Sequence, residues 1–337
     1  MEIGVEEKNT IRTEAPVMDA LEITAPKTIT MKQVPLPEPA ADEVRIKMEG
    51  CGLCASNLPV WEGREWFSYP IQAGNPGHEG WGRIDALGAD VTGFQKGERV
   101  AAITYNAFAA YDITKASNLI KLPEALNGVP FPAEPLGCAM NIFERSDIKA
   151  GQTVAIVGIG FLGAMLVQLA HQAGARVIAL SRKHSALELA TELGADEVIA
   201  MNDHYQIIEQ VKQLTKENFC ERVIEATGKQ WPLDLAAELT GIRGKLIIAG
   251  YHQDGMRQVN MQLWNWRGMD VINAHERDPE EYLKGMRKAV DAVVEGRLTP
   301  QRLFTHVFKA EDLQQAFETH KENPEGFIKA LITFKDQ

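Results

Sequence analysis

Cysteine is scarce in this 337-residue chain: Cys51, Cys54, Cys138 and Cys220 are all there is. Four are too few for a disulfide framework, and no signal peptide is legible. A reducing cytoplasm and thiolate chemistry are therefore expected. Positive charge is also in deficit, with 35 Lys and Arg against 46 Asp and Glu and a formal net charge of −11. That balance argues against general binding to nucleic acid or anionic membranes, while a local basic pocket remains compatible with it. Repeats and low-complexity segments are missing. Charge is absent altogether from Thr153 to Ala170, a run about as long as a membrane span. Three glycines in its first half, a β-branched start and Gly174 soon after favour a buried strand and helix instead.

That uncharged run, extended to Leu180, is the most informative stretch: TVAIVGIGFLGAMLVQLAHQAGARVIAL. A short strand leads directly into Gly158-Ile-Gly160-Phe161-Leu162-Gly163, the G-x-G-x-x-G spacing, followed by an apolar helix and a second strand. In this context Gly158 permits a tight turn, Gly160 lets a pyrophosphate reach the backbone, and Gly163 lets the helix pack close to the strand. The helix start offers unpaired N–H groups and the positive end of a dipole, which suit a diphosphate.

The length allows two domains. Residues 1–17 are polar and read as an arm. From Met18 onward, short alternating stretches punctuated by proline and glycine predict a β domain of about 130 residues. A helical pattern between Pro130 and Gly151 leads out of it. Strands at Val154–Val157, Val177–Leu180, Glu197–Ala200, Arg222–Glu225, Lys245–Ala249 and Asp270–Asn273 then alternate with helices, predicting a Rossmann-type doubly wound parallel sheet in an α/β class chain. A helix (Pro279–Glu295), a strand (Phe304–Phe308), a helix (Glu311–Glu322) and a last strand (Gly326–Phe334) close the chain. These have no place in the parallel sheet and are expected to return to the β domain. The expected division is 18–135 with 276–337 for a discontinuous catalytic domain, and 136–275 for the dinucleotide domain.

A second cluster lies in the β domain, where Cys51-Gly-Leu-Cys54-Ala-Ser56-Asn57 precedes Gly77-His78-Glu79-Gly80 and, later, Glu134-Pro135-Leu136. Thiolate, imidazole and carboxylate form a set that zinc accepts, and three protein ligands with one open position make a catalytic site. Taken alone, Cys51 and Cys54 also fit a redox pair or half of a structural zinc site. Together with the glycine turn and the β tail, these motifs resemble the zinc-dependent medium-chain dehydrogenase/reductase family over about Met18 to Phe334, closest in pattern to its sorbitol and threonine dehydrogenase branch.

The resemblance implies a GroES-like barrel for the β domain, with Cys54 and His78 as zinc ligands and Glu79 as the neighbouring carboxylate. It implies Ser56 as the hydroxyl taking the substrate's proton. Glu134 stands in the register of that branch's glutamate ligand. Cys138 is the rival, matching the cysteine used by the alcohol dehydrogenase branch. The family's four-cysteine structural zinc lobe is missing, which implies one catalytic zinc per chain. Asn57 replaces the usual aspartate, and Pro59 stands where many relatives carry a relay histidine.

At the end of the second strand, an NAD site needs a carboxylate for the ribose. Here Ser181-Arg182-Lys183 offers a hydroxyl and two cations, which suit a 2′-phosphate and favour NADP over NAD. The expectation is a cytoplasmic, homodimeric or homotetrameric zinc alcohol or polyol dehydrogenase acting on a small-molecule alcohol or carbonyl. Two alternatives stand beside it: a zinc-free quinone or enoyl reductase of the same superfamily, and a catalytically silent nucleotide-binding protein.

Overall fold

In the computed structural model, residues 15–334 are described, so most of the polar arm lies outside the described residues. Strands β1 (Val17–Ala25) and β2 (Thr28–Pro35) pair as an antiparallel hairpin. The barrel sheet is built on β3 (Glu43–Leu53), whose Val44, Ile46 and Met48 are buried while the residues between them are partly exposed. This period of two puts one face of the strand in the core. Antiparallel to it run β4 (Glu79–Leu87) and β6 (Tyr111–Lys115). Beyond β4 come β5 (Arg99–Ala102) and β7 (Leu119–Lys121). A short helix α1 (Leu58–Glu62) follows β3, and α2 (Ala133–Ser146) leads out of the barrel.

The second sheet is entirely parallel and has the order β10-β9-β8-β11-β12-β13. Its strands are β8 (Thr153–Val157), β9 (Arg176–Ser181), β10 (Glu197–Ala200), β11 (Cys220–Glu225), β12 (Thr240–Ile248) and β13 (Asp270–Asn273). Helices α3 (Phe161–Gln172), α4 (His184–Glu192), α5 (His204–Leu214), α6 (Gln230–Leu239) and α7 (Met261–Arg267) make the connections. The expected Rossmann-type sheet is therefore present, with five strands within two residues of their predicted places and β12 beginning five residues earlier, at Thr240. Strand order reverses between β8 and β11, and the glycine turn leaves β8 at that switch point. The uncharged run resolves into β8 and the twelve-residue α3. Among the described residues, no helix is long and apolar enough to cross a membrane.

After β13 the chain forms α8 (Pro279–Val294), which crosses α2 at small residues. A Cβ on Gly285 would come within 2.6 Å of the Gly137 carbonyl oxygen, so the two backbones pack almost in contact. Strand β14 (His306–Lys309), helix α9 (Leu313–Glu322) and strand β15 (Ala330–Thr333) complete the fold. β14 pairs parallel with β15, and β15 pairs antiparallel with the end of β3, Ala330 opposite Leu53. The last strand is shorter than its apolar pattern predicts. Asn323 ends α9 in the left-handed region at φ 48°, and the chain from there to Lys329 is spent crossing back to the barrel. The main hydrophobic cluster is continuous from Trp81 and Leu331 in the barrel through Leu136 on α2 to Ile156 on β8.

Candidate metal centre and dinucleotide turn

Gly52 lies opposite Glu79 in the β3–β4 ladder, and a Cβ on Gly52 would meet the Glu79 carboxylate at 1.9 Å. The glycine inside Cys-Gly-Leu-Cys thus makes room for the carboxylate of His-Glu. Cys54 follows β3, and His78 directly precedes β4. The Cys54 sulfur, a His78 ring nitrogen and a Glu79 oxygen all lie within 4.8 Å of one another. The Pro76 carbonyl is 2.9 Å from His78 Nδ1, and Asn57 Nδ2 is 3.3 Å from the same atom. With Nδ1 turned to the backbone, Nε2 is left for a ligand. Asn57 also accepts from the Cys54 N–H at 3.1 Å through Oδ1, so it braces both donors without adding charge.

Glu134 and Cys138, both on α2, lie one turn apart. The Cys138 thiol donates to Glu134 Oε1 at 3.3 Å, and the Tyr282 hydroxyl on α8 is 3.8 Å from the same sulfur. Neither belongs to the three-donor group, though the Glu134 charge acts on His78. Burial and the Glu134 carboxylate push the Cys138 thiol well above its ordinary pKa, which keeps it protonated. Burial also raises Glu134. Burial opposes the His78 imidazolium, but the Cys54 sulfur, Glu134 and Glu79 outweigh it and raise its pKa to about 10 in the metal-free chain. Sulfur, imidazole nitrogen and carboxylate oxygen at this separation fit zinc. Ser56 sits half-buried in the turn Ala55–Asn57, and its hydroxyl has no hydrogen-bond partner among the described residues.

One side chain was not legible as part of this cluster. Lys329, just before β15 and 5% exposed, reaches both oxygens of the fully buried Glu79, at 2.6 and 2.5 Å. Burial disfavours its ammonium, but Glu79 and the Cys54 sulfur more than compensate and raise its pKa. The same Nζ lies 5.2 Å from the ring centroid of Phe161 in the glycine turn. The only sequence signal was a lone cation in an otherwise apolar strand, Phe327-Ile-Lys-Ala-Leu-Ile-Thr-Phe334.

In the glycine turn the three positions differ. Gly158 has φ +103°, and a Cβ there would strike Thr227 at 2.4 Å; a Cβ on Gly163 would strike the Gly158 carbonyl at 2.0 Å. Both are required by the protein's own packing. A Cβ on Gly160 would meet nothing within 4 Å. Open space at the start of α3, beside the free N–H groups of Phe161 and Leu162, is the cradle that a pyrophosphate needs. At the end of β9, Ser181 is buried and Arg182 is exposed with no hydrogen bond or ion pair among the described residues. Lys183 is engaged elsewhere, donating to Asn323 Oδ1, the Pro324 carbonyl and the Phe327 carbonyl at 2.5, 2.8 and 3.1 Å.

Other singled-out residues fall outside the site. Trp61, on α1 just after Cys54, is core, 3% exposed and stacked on Phe317 at 5.6 Å. Cys51 is buried on β3 and, like the other three cysteines, free. A cavity of about 390 Å³ lies between α5, α6 and α7, lined by His204, Trp231, Glu238 and Trp264 among others, away from the metal cluster.

Comparison with known proteins agrees with this architecture. Residues 40–139 match the model of the alcohol dehydrogenase GroES-like domain, and residues 162–290 match that of the zinc-binding dehydrogenase domain. The sorbitol dehydrogenase of Halalkalibacterium halodurans is 26% identical over 90% of this chain and 95% of its own length. The L-galactonate-5-dehydrogenase of Escherichia coli K12 is 24% identical over 94% and 99%. Among solved structures, a provisionally assigned zinc-binding dehydrogenase from Sinorhizobium meliloti 1021, bound to NADP, superposes with a TM-score of 0.82 at 24% identity, covering 94% of this chain and 99% of that one. The chain therefore belongs to the zinc-type medium-chain alcohol and polyol dehydrogenase family, with a GroES-like domain and a Rossmann-type domain. It is an oxidoreductase of that family acting on small molecules.

Proposed function

We propose that this chain moves a hydride between a secondary alcohol, polyol or sugar-type hydroxyl, or the matching carbonyl, and a nicotinamide cofactor, with NADP(H) preferred over NAD(H). The observation that carries this reading is the three-donor group of Cys54, His78 and Glu79, joined through Lys329 to the glycine turn. Cys54, His78 and Glu79 would hold one catalytic zinc, with Glu134 on α2 as a further carboxylate ligand. Glu134 is favoured over Cys138 because Cys138 is a buried, protonated thiol that donates to it. Bound there, zinc supplies a Lewis acid that polarises a substrate oxygen.

The chain's own residues do the remaining work. Ser56, with a free hydroxyl, takes the substrate's proton and passes it to water, since Pro59 cannot. Gly158, Gly160, Phe161, Leu162 and Gly163 seat the pyrophosphate, and Lys329 places a positive charge between that turn and the metal cluster. Ser181 and Arg182 receive the adenosine ribose; with no carboxylate in Ser181-Arg182-Lys183 itself, these residues admit a 2′-phosphate. We assign residues 18–135 and 276–337 to the catalytic domain and 136–275 to the dinucleotide domain, a division supported by the pairing of β15 with β3. The four free cysteines support a cytoplasmic home. A homodimer or homotetramer is supported by the unpaired outer edge of β13 and by Met256 and Trp266, 99% and 86% exposed nearby.

The test is a panel of alcohols, polyols and carbonyls assayed with both nicotinamides, together with metal analysis. Turnover with about one zinc per chain, and loss of zinc and at least about a thousandfold of activity in Cys54→Ala, is expected. Well under one zinc with full activity in Cys54→Ala would leave the zinc-free reductase instead. Cofactor binding without turnover across the panel would leave the silent nucleotide-binding protein.

A further inference from the structure

The turn between β9 and α4, where the adenosine ribose is read to lie, is covered by a segment from the far end of the chain. Besides the three bonds from Lys183, the Glu325 carboxylate sits on the first turn of α4. Its Oε2 accepts from the Ser185 N–H at 3.2 Å and from the Ser185 hydroxyl, while Ser185 Oγ accepts from the Gly326 N–H at 2.9 Å. Asn323 to Phe327 thus clasps the turn from both sides, Lys183 on one and Ser185 on the other.

This arrangement has two consequences for charge. Of the two cations in Ser181-Arg182-Lys183, only Arg182 is free to meet a phosphate. The start of α4, where backbone N–H groups and the helix dipole would otherwise draw an anion, already holds one that belongs to the protein. Ser181 ends β9 and Ser185 stands in the first turn of α4, with Lys183 between them bonded through its N–H to Ser181 Oγ at 3.3 Å and through its amine to the crossing segment, so a 2′-phosphate on a ribose at Ser181 would approach a turn that already carries the Glu325 carboxylate. A neutral ribose hydroxyl would not meet that repulsion.

We propose that Glu325 is a specificity-determining residue for the cofactor: it opposes the adenosine 2′-phosphate at the β9–α4 turn and holds down a preference that Arg182 would otherwise make steeper. The proposal rests on the cofactor reading above. It adds that selectivity is divided between the dinucleotide domain, which supplies Arg182, and the α9–β15 crossing, which supplies Glu325.

The test measures dissociation constants of NADPH and NADH for the full-length chain by fluorescence titration at low ionic strength. Glu325→Gln removes the charge and is expected to raise selectivity for NADPH over NADH about fivefold, the size of one screened charge interaction near a surface. Glu325→Lys should move it further in the same direction, and both effects should shrink in high salt. If the crossing segment were only a structural brace, both nucleotides would weaken together. A ratio unchanged within about twofold in both variants, in a chain that still binds the nucleotides, would overturn the role of Glu325 alone. A wild-type chain that binds neither nucleotide would refute the cofactor reading and this proposal with it.

Discussion

The two halves of the site are built in opposite ways. The glycine turn is contiguous: Gly158 to Gly163 run from the end of one strand into the first turn of the helix that follows, and apart from the approach of Thr227 to Gly158 their own backbone sterics fix the conformation. The candidate metal cluster is assembled from Cys54 just after β3, His78 just before β4 and Glu79 at its start, with Glu134 on α2 and Lys329 before β15 acting on it, and tertiary packing fixes it. A cradle made from one segment can be read from that segment. A cluster drawn from four segments can be read only where its residues happen to carry a recognisable pattern. The glycine turn should therefore tolerate damage elsewhere in the chain, while the cluster should be sensitive to its most distant member.

The sharpest way to break this contrast is Lys329→Met. It leaves the Glu79 carboxylate buried and unpaired, which should cost about 3–5 kcal/mol of stability. The double variant Glu79→Gln, Lys329→Met should recover a large part of the stability, by chemical denaturation, because no lone buried charge remains. If Lys329→Met is as stable as the wild type, the pair is not the closure that its burial implies.

Within the glycine turn, Gly163→Ala and Gly160→Ala should separate. The first drives a methyl group into the Gly158 carbonyl and should cost about 1–3 kcal/mol of stability. The second projects into open space and should leave thermal stability near the wild-type value while weakening dinucleotide binding. Equal loss of stability in both would mean that Gly160 serves packing rather than ligand approach.

The effect expected to be smallest at neutral pH concerns His320, whose ring packs on Phe327 at the base of the crossing segment. Burial, with Lys329 and Lys183 nearby, lowers its pKa from 6.5 to about 3. The folded chain therefore binds the proton less readily than the unfolded one. The stability lent by the neutral ring is complete above pH 6.5 and is lost as pH falls toward 3, by at most about 1.4 kcal/mol per pH unit. His320→Gln should flatten the acid limb of a stability–pH profile over that interval; an unchanged slope would place the acid sensitivity elsewhere.

Much of the fold was legible because its periods are plain. The six parallel strands are short apolar runs spaced by helices, and β3 alternates cleanly. Strand ends were harder: Gly326 to Phe334 reads as one strand, yet half of it is consumed by the crossing. Cys54 and His78-Glu79 were legible as a donor set, and Lys329 was not, because 250 residues separate it from the carboxylate it neutralises. Lys183 shows the reverse. Its charge at the end of β9 invited a phosphate, while its amine is spent on two carbonyls and an amide brought up by α9. Charge is written in the sequence; the partner that uses it is decided by topology.

The position of Lys329 also sets a schedule for synthesis. At roughly 5–20 residues per second on the ribosome, the partner of Glu79 is made roughly 12–50 s after Glu79 itself. Throughout that interval β3 lacks β15 beside its Cys51 end, and the carboxylate over Gly52 has no counter-charge. The strand that carries Glu79 is made long before the reactive end of the barrel can close.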